Sequence, residues 1–395
     1  EMNREARNIL ERLGMDIDPE TVVGDLAVSK QQMVEIAKAL SANARILIMD
    51  EPTSALTSRE ISDLFAIIRK LRDTGCGIVY ISHRLEELQH IADRVSIMRD
   101  GRRITTGDFS SFTMDSMIAN MVGREIKEKF PKVQCGVGKV ILKVEKLNAG
   151  RMVRNISFEL HEGEIVGVAG LMGAGRTEMT RVIFGADARE SGQIFLDGQP
   201  VEIRCPQDAI RTGIVLVPED RKRDGLCTRL SIRDNVALPN LDILCGRLGA
   251  VHRRKERSMV RQTQKDLTIK MHDIEADAGS LSGGNQQKLV LGKWLARNSR
   301  VVMFDEPTRG IDVAAKVEIY HLMNELKKNG IGVLFASSEM QEIMGVADRI
   351  LVMCDGRMIG ELFPESCTQN EILEYATRFE SKFQKADSAY ASEGA

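Results

Sequence analysis

Asp50-Glu51-Pro52-Thr53 returns 255 positions later as Asp305-Glu306-Pro307-Thr308. The same offset carries Gln31-Gln32 to Gln286-Gln287, Ala92-Asp93-Arg94 to Ala347-Asp348-Arg349, and Asp100-Gly101-Arg102 to Asp355-Gly356-Arg357. An unbroken register from Gln31 to Arg102 demands two homologous domains, because chance matches do not keep one offset. The second copy also holds Gly170-Leu171-Met172-Gly173-Ala174-Gly175-Arg176-Thr177, whose counterpart at that offset falls before Glu1. The chain is therefore read as one whole domain plus the back half of another, and is expected to be a piece of a longer protein.

A chain of 395 residues is long enough for two or three domains, each with its own core. A net charge of −2 gives no support to nucleic-acid binding through bulk charge. The seven cysteines are odd in number and never spaced C-x-x-C, which argues for reduced thiols and against a disulfide framework or a zinc site. No apolar run approaches the roughly 18–20 residues that span a bilayer, so any membrane role works through a partner.

Helical periodicity over residues 3–13 places Ala6, Ile9, Leu10 and Leu13 on one face, closed by Gly14. A second helix is expected from Lys30 to Leu40, with Ser29-x-x-Gln32 resembling its capping box. Arg45–Met49 is a short apolar run ending in Asp50-Glu51, the pattern of a buried parallel strand. Thr57-x-x-Glu60 caps the following helix, and Gly77–Ile81 is the next strand. Strands alternating with helices indicate a doubly wound α/β core. The pattern weakens from Asp108 to Lys139, and Phe130–Gly138 reads as linker. The second copy opens with β-patterned Ile141–Leu147 and Ile156–Leu160, and a helix-rich insert covers roughly 230–280. Its charge run His252–Arg257 reads as a solvated helix face. The expected division is 1–122, a linker at 123–139, a second domain at 140–378, and a disordered tail at 379–395.

Glu164–Ala169 followed by Gly170-x-x-Gly173-x-Gly175 and an apolar helix is a strand, glycine loop and helix. Such a loop turns backbone N–H groups and a helix N-terminus toward phosphate oxygens. Thr177 stands where a hydroxyl joins Mg²⁺ coordination. Arg176 stands where a lysine is usual, and a planar guanidinium cannot act as a compact point charge. Asp50 and Asp305 end apolar strands, where a carboxylate can hold magnesium beside phosphates; Glu51 and Glu306 follow, placed to orient or activate water. Leu281-Ser282-Gly283-Gly284-Asn285-Gln286-Gln287 brings a hydroxyl and two glycine N–H groups to a helix start, a further anion site.

Together these motifs resemble the ATP-binding-cassette ATPases over nearly the whole chain, and most closely the tandem-cassette subunit of bacterial monosaccharide importers of the ribose, galactoside, xylose and arabinose type. Besides the motifs above, Pro218-Glu219-Asp220-Arg221-Lys222-Arg223-Asp224-Gly225-Leu226 and Asp305–Asp312 look like that group's second cassette. The resemblance implies tandem P-loop NTPase domains, each a mostly parallel α/β core with an antiparallel β subdomain and a helical subdomain. It implies ATP and Mg²⁺ as cofactors, held by Gly170, Gly173, Ala174, Gly175, Arg176, Thr177, Glu219, Ser282, Gly283 and Gly284, with Asp50, Asp305 and Thr177 toward the metal. Glu51, His83 and Glu306 take the catalytic positions. It further implies head-to-tail pairing of the cassettes, a peripheral place on the cytoplasmic face of the membrane, and an integral-membrane sugar permease as partner. A periplasmic or lipid-anchored sugar-binding protein acts indirectly, and no nucleic acid is involved. The segment Glu219–Pro239 follows the position that grips the permease.

The two sites this pairing implies are unequal. The one served by Asp50, Glu51 and His83 takes the intact signature Ser282-Gly283-Gly284. The other takes the second glycine loop and a first signature reduced to Leu26-Ala27-Val28-Ser29-Lys30, with Arg176, Glu219 and Ser338 at positions where the family has Lys, Gln and His. No aromatic in Asn148–Arg154 offers to stack on adenine. The first is expected to hydrolyse and the second mainly to bind nucleotide. The competing readings are a soluble tandem-cassette ATPase acting on ribosomes or nucleic acid, and a nucleotide-binding remnant without turnover.

Overall fold

The computed structural model describes residues 2–377 apart from 13, 14, 16, 27, 42, 43, 54, 55, 57, 83, 100, 123–128, 247, 248, 298 and 312. The chain forms two compact units, Glu1–Lys127 and Glu128–Ala395.

In the second unit, short runs of β-branched and aliphatic residues make strands buried on both faces. Ile165–Ala169, Val301–Asp305 and Gly332–Ala336 are buried throughout. The six-stranded sheet runs, edge to edge, Ile214–Val217, Val301–Asp305, Gly332–Ala336, Ile165–Ala169, Arg349–Cys354 and Arg357–Leu362. All neighbours are parallel except the last pair, a hairpin. Asp305 pairs with Ala336, and Ala336 with Val168, so the carboxyl ends of three strands lie level. Open α/β sheets bind ligands at that edge. A second, antiparallel sheet of four strands includes Val140–Ala149 and Val153–His161. The insert forms helices Ile232–Ala237, Leu241–Leu244 and Arg253–Asp266. This is the α/β architecture with antiparallel and helical additions that the motifs imply.

The first unit pairs Ile46–Asp50 in parallel with Gly77–Ile81. Helices Val28–Ser41 and Ser58–Asp73 accompany them, and Met33, Ile36, Leu47, Met49, Leu64 and Phe65 fill one core. The expectation of a strand buried on both faces is corrected here. Leu47 and Met49 point inward, whereas Ile46 and Ile48 are 68% and 67% exposed. The side chains of Ser29 and Gln32, read as a capping box for this helix, lie outside the described residues. Leu13, Gly14, Thr57 and the tail at 379–395 lie outside the described residues.

Two elements escaped the sequence reading. Helix Met114–Val122 sits where periodicity faded, and its Met117 is fully buried against Arg94–Arg99. Within the stretch read as linker, Phe130 packs 5.7 Å from the Tyr320 ring and over Gly345, where a Cβ would lie 2.3 Å from it. Asn324 Nδ2 donates to Pro131 O at 2.6 Å, and Lys327 Nζ to Val133 O at 2.6 Å. Residues 130–133 are thus stitched to helix Val313–Lys328.

Candidate functional site

The glycine loop leaves Ala169 at the carboxyl end of a central strand and enters helix Arg176–Phe184. Gly173 and Gly175 have φ of 80° and 98°, conformations that a side chain would strain. Gly175 also has no room for one, since a Cβ there would lie 2.2 Å from Met152 O. The loop rests on the turn at Asp355-Gly356. Gly356 N donates to Ala174 O at 3.0 Å, and Arg154 N to Gly356 O at 2.7 Å. The repeated Asp-Gly-Arg therefore has a physical role the sequence reading did not give it: in the second unit it is a tight hairpin turn that buttresses the phosphate-loop candidate.

Asp305 and Glu306 converge on this loop. Asp305 is 2% exposed, and burial raises its carboxyl above the usual range while the neighbouring Thr177 hydroxyl opposes the shift. Its Oδ1 is buried without a hydrogen-bond partner among the described residues. Arg176 Nη2 meets Glu306 Oε1 at 2.9 Å, with both side chains 9% exposed. Ser338 Oγ donates to Glu306 Oε2 at 3.2 Å. Burial pushes Glu306 up to about 7 against the pull of Arg176. Arg176 Nη1 is buried and likewise unpartnered among the described residues. A buried acceptor and a buried donor at one glycine loop, neither satisfied by the described residues, fit a cation and an anion.

Beneath these groups lies a joint that appears in both units. Glu342 Oε2 accepts from Thr308 Oγ1 at 2.7 Å and from Ser337 Oγ at 2.9 Å, and Lys316 pairs with Oε1 at 2.8 Å. In the first unit Glu87 Oε2 accepts from Thr53 Oγ1 at 2.9 Å and from Ser82 Oγ at 3.3 Å. Glu51 N and Glu306 N each donate to the adjoining strand, at Ile81 O and Ala336 O, both at 2.9 Å, and both glutamates have positive φ. Glu87 and Glu342 were not singled out in the sequence, although the 255-residue offset aligns them.

The remaining candidates lie on neighbouring elements. Glu219 pairs with Arg309, in the turn after Glu306-Pro307-Thr308. Ser282 stands at the N-cap position of helix Gly283–Leu295 without a side-chain bond to the helix backbone, its Oγ accepting from Asn285 Nδ2 at 2.8 Å, and a Cβ on Gly284 would lie 2.8 Å from the Ala315 Cβ. Arg221, half-buried, reaches Gln286 Oε1 and the carbonyls of Arg309 and Gly310, tying the Ser282–Gln286 segment to that turn. Arg221 is thus an internal tie, while Lys222 and Arg223 are exposed. The first unit keeps the same helix-start bond: Gln31 Nε2 donates to Leu26 O at 2.8 Å, as Gln286 Nε2 does to Leu281 O at 2.9 Å. His83 lies outside the described residues.

The sequence model of the ABC transporter family matches residues 1–54 and 153–309. The chain belongs to the ABC transporter family. A ribose import ATP-binding protein, RbsA 1, of Rubrobacter xylanophilus is 48% identical to this ABC transporter chain over 95% of its length and 75% of its own. The corresponding RbsA of Bacillus licheniformis is 47% identical over 94% and 75%. A relative in Agrobacterium fabrum, named for ribose/galactose/methyl galactoside import, is 49% identical over 95% and 74%. Among solved structures, the nucleotide-free ATP-binding cassette of an ABC transporter matches with TM-score 0.50 at 20% identity, over 60% of this chain and 96% of its own. A twinned structure of MJ1267, an ATP-binding cassette of an ABC transporter, gives 0.51 at 19%, over 61% and 97%. At that identity the likeness speaks for the ABC cassette fold alone. No described helix of this ABC chain is long and apolar enough to cross a membrane.

Proposed function

We propose that this chain is an ATP-hydrolysing subunit that energises monosaccharide import through a membrane permease, from a peripheral position on the cytoplasmic face. The observation that carries the chemistry is the meeting of Thr177, Asp305, Arg176 and Glu306 at one glycine loop, where Asp305 Oδ1 and Arg176 Nη1 are buried without a hydrogen-bond partner among the described residues. The names of the relatives support sugar import as the work done.

The backbone N–H groups of Gly170–Thr177 and the start of helix Arg176–Phe184 bind phosphate oxygens. Thr177 and Asp305 suit magnesium, which takes one or two protein ligands and completes its shell with water and phosphate; bound there, it neutralises charge on the phosphates. Glu51 is assigned to orienting and deprotonating water, and Glu306 stands at the corresponding position of the second unit. Exposed Lys222 and Arg223 support the segment after Glu219 as the place a cytoplasmic permease helix meets the chain.

The asymmetry read in the sequence belongs to the proposal. Glu51 serves the hydrolytic site, and Glu306 one that mainly binds. In the transporter reconstituted with its permease, Glu51→Gln is expected to lower single-turnover ATP hydrolysis by about 10²-fold or more. Glu306→Gln should leave at least about half of it. The opposite ranking overturns the assignment.

A further inference from the structure

We infer that Arg176 and Ser338 together hold Glu306 away from water, and that this clamp, built into the second unit, is what keeps its site from hydrolysing bound nucleotide. The inference rests on the reading above, in which Glu306 stands in the position of the water-activating carboxylate.

Each carboxylate oxygen of Glu306 is engaged by the chain itself, Oε1 by Arg176 Nη2 at 2.9 Å and Oε2 by Ser338 Oγ at 3.2 Å. The backbone is held as at Glu51, with a φ of 45° and the N–H bonded to Ala336 O, so what distinguishes Glu306 lies in its side-chain partners. The side chains of the Arg176–Glu306 pair are 9% exposed, so solvent screens the attraction poorly.

The arginine is what allows the clamp to coexist with a ligand. Its guanidinium is a rigid fork, and only one tine is used: Nη1 is buried and has no hydrogen-bond partner among the described residues. Nη1 can donate to a phosphate oxygen while Nη2 keeps its carboxylate. A lysine offers one compact ammonium at this position, and a phosphate that draws it away frees the carboxylate. Binding and silence thus come from the same side chain. Arg176 and Ser338 are positioning residues that act through Glu306.

The test uses the complete transporter in proteoliposomes with Glu51→Gln as background, so that remaining turnover reports the second unit. Single-turnover hydrolysis of magnesium ATP and equilibrium binding of a non-hydrolysable ATP analogue are both measured. Arg176→Lys is expected to raise hydrolysis about tenfold or more, within the roughly 10²–10⁴-fold a general base contributes. Adding Glu306→Gln should cancel the gain, which a purely structural role for Arg176 does not predict. Ser338→Ala, a milder change, should give a smaller gain and serves if Arg176→Lys fails to fold. Intact analogue binding with no gain in the folded variants overturns the clamp. Absence of analogue binding to the second unit in the unmodified protein defeats the underlying reading instead. High turnover persisting in the Glu51→Gln background defeats the assignment of Glu51.

Discussion

At the scale of single residues, Glu342 and Glu306 look alike in the sequence but do opposite work. Glu306 faces the glycine loop, whereas Glu342 is 1% exposed and accepts from Thr308 and Ser337 while pairing with Lys316. Removing one partner of such a buried set strands the others. Glu342→Ala is therefore expected to destabilise the second unit by about 3 kcal/mol. Neighbouring Glu339, half exposed beside the same lysine, should cost less than about 1 kcal/mol when replaced by Ala. Urea unfolding followed by fluorescence measures both, because the single tryptophan, Trp294, reports only the second unit. Equal midpoints for the two variants would refute the difference. Asp305, Glu306 and Thr177 could be named as candidates because their residue types recur at a fixed spacing. Glu87 and Glu342 could not, because a glutamate that braces a turn from 34 positions away leaves no local pattern.

Among elements, the glycine loop shows what spacing can and cannot specify. Gly170-x-x-Gly173-x-Gly175 marks the turn, but not which glycine is conformational and which is packed. Gly173 has a φ of 80° with open space around a would-be Cβ, so Gly173→Ala meets only backbone strain, on the order of 1–2 kcal/mol. At Gly175 the added carbon would sit 2.2 Å from Met152 O, and the hairpin beneath must move. Gly175→Ala is expected to weaken binding of an ATP analogue more than tenfold and Gly173→Ala less than that. Calorimetric titration of the two variants checks the order. The difference depends on Met152 and Gly356, which reach the loop through the fold and not through adjacency in the chain. The strap at Phe130–Val133 was hidden for a similar reason: its partners Tyr320, Asn324 and Lys327 lie some 190 residues on.

For the molecule as a whole, the alternation of apolar runs and helices was enough to read the α/β class, and the repeated register to read two related units. How fully each strand is covered was not readable. Ile46-Leu47-Ile48-Met49 and Val301-Val302-Met303-Phe304 are both wholly apolar, yet the second run is buried on both sides and the first on one. Ile46, Ile48, Val79 and Ile81 present an apolar face on the first unit, all between 47% and 68% exposed. The polypeptide 1–395 is expected to bind a hydrophobic dye such as ANS, and Ile48→Lys with Val79→Lys to reduce that fluorescence by about half or more. The Trp294 unfolding midpoint should not shift, since the changes lie in the other unit. Undiminished dye fluorescence would show that the face is covered. The paired glutamate joints, finally, bear on descent. Ala27, Val28 and Ser338 stand where the other copy has Ser282, Gly283 and His83, so the ligand-facing letters have parted ways. The Thr–Glu–Ser joints at Glu87 and Glu342 have not. Divergence after duplication has thus altered residues of the proposed ligand sites and left these joints in place.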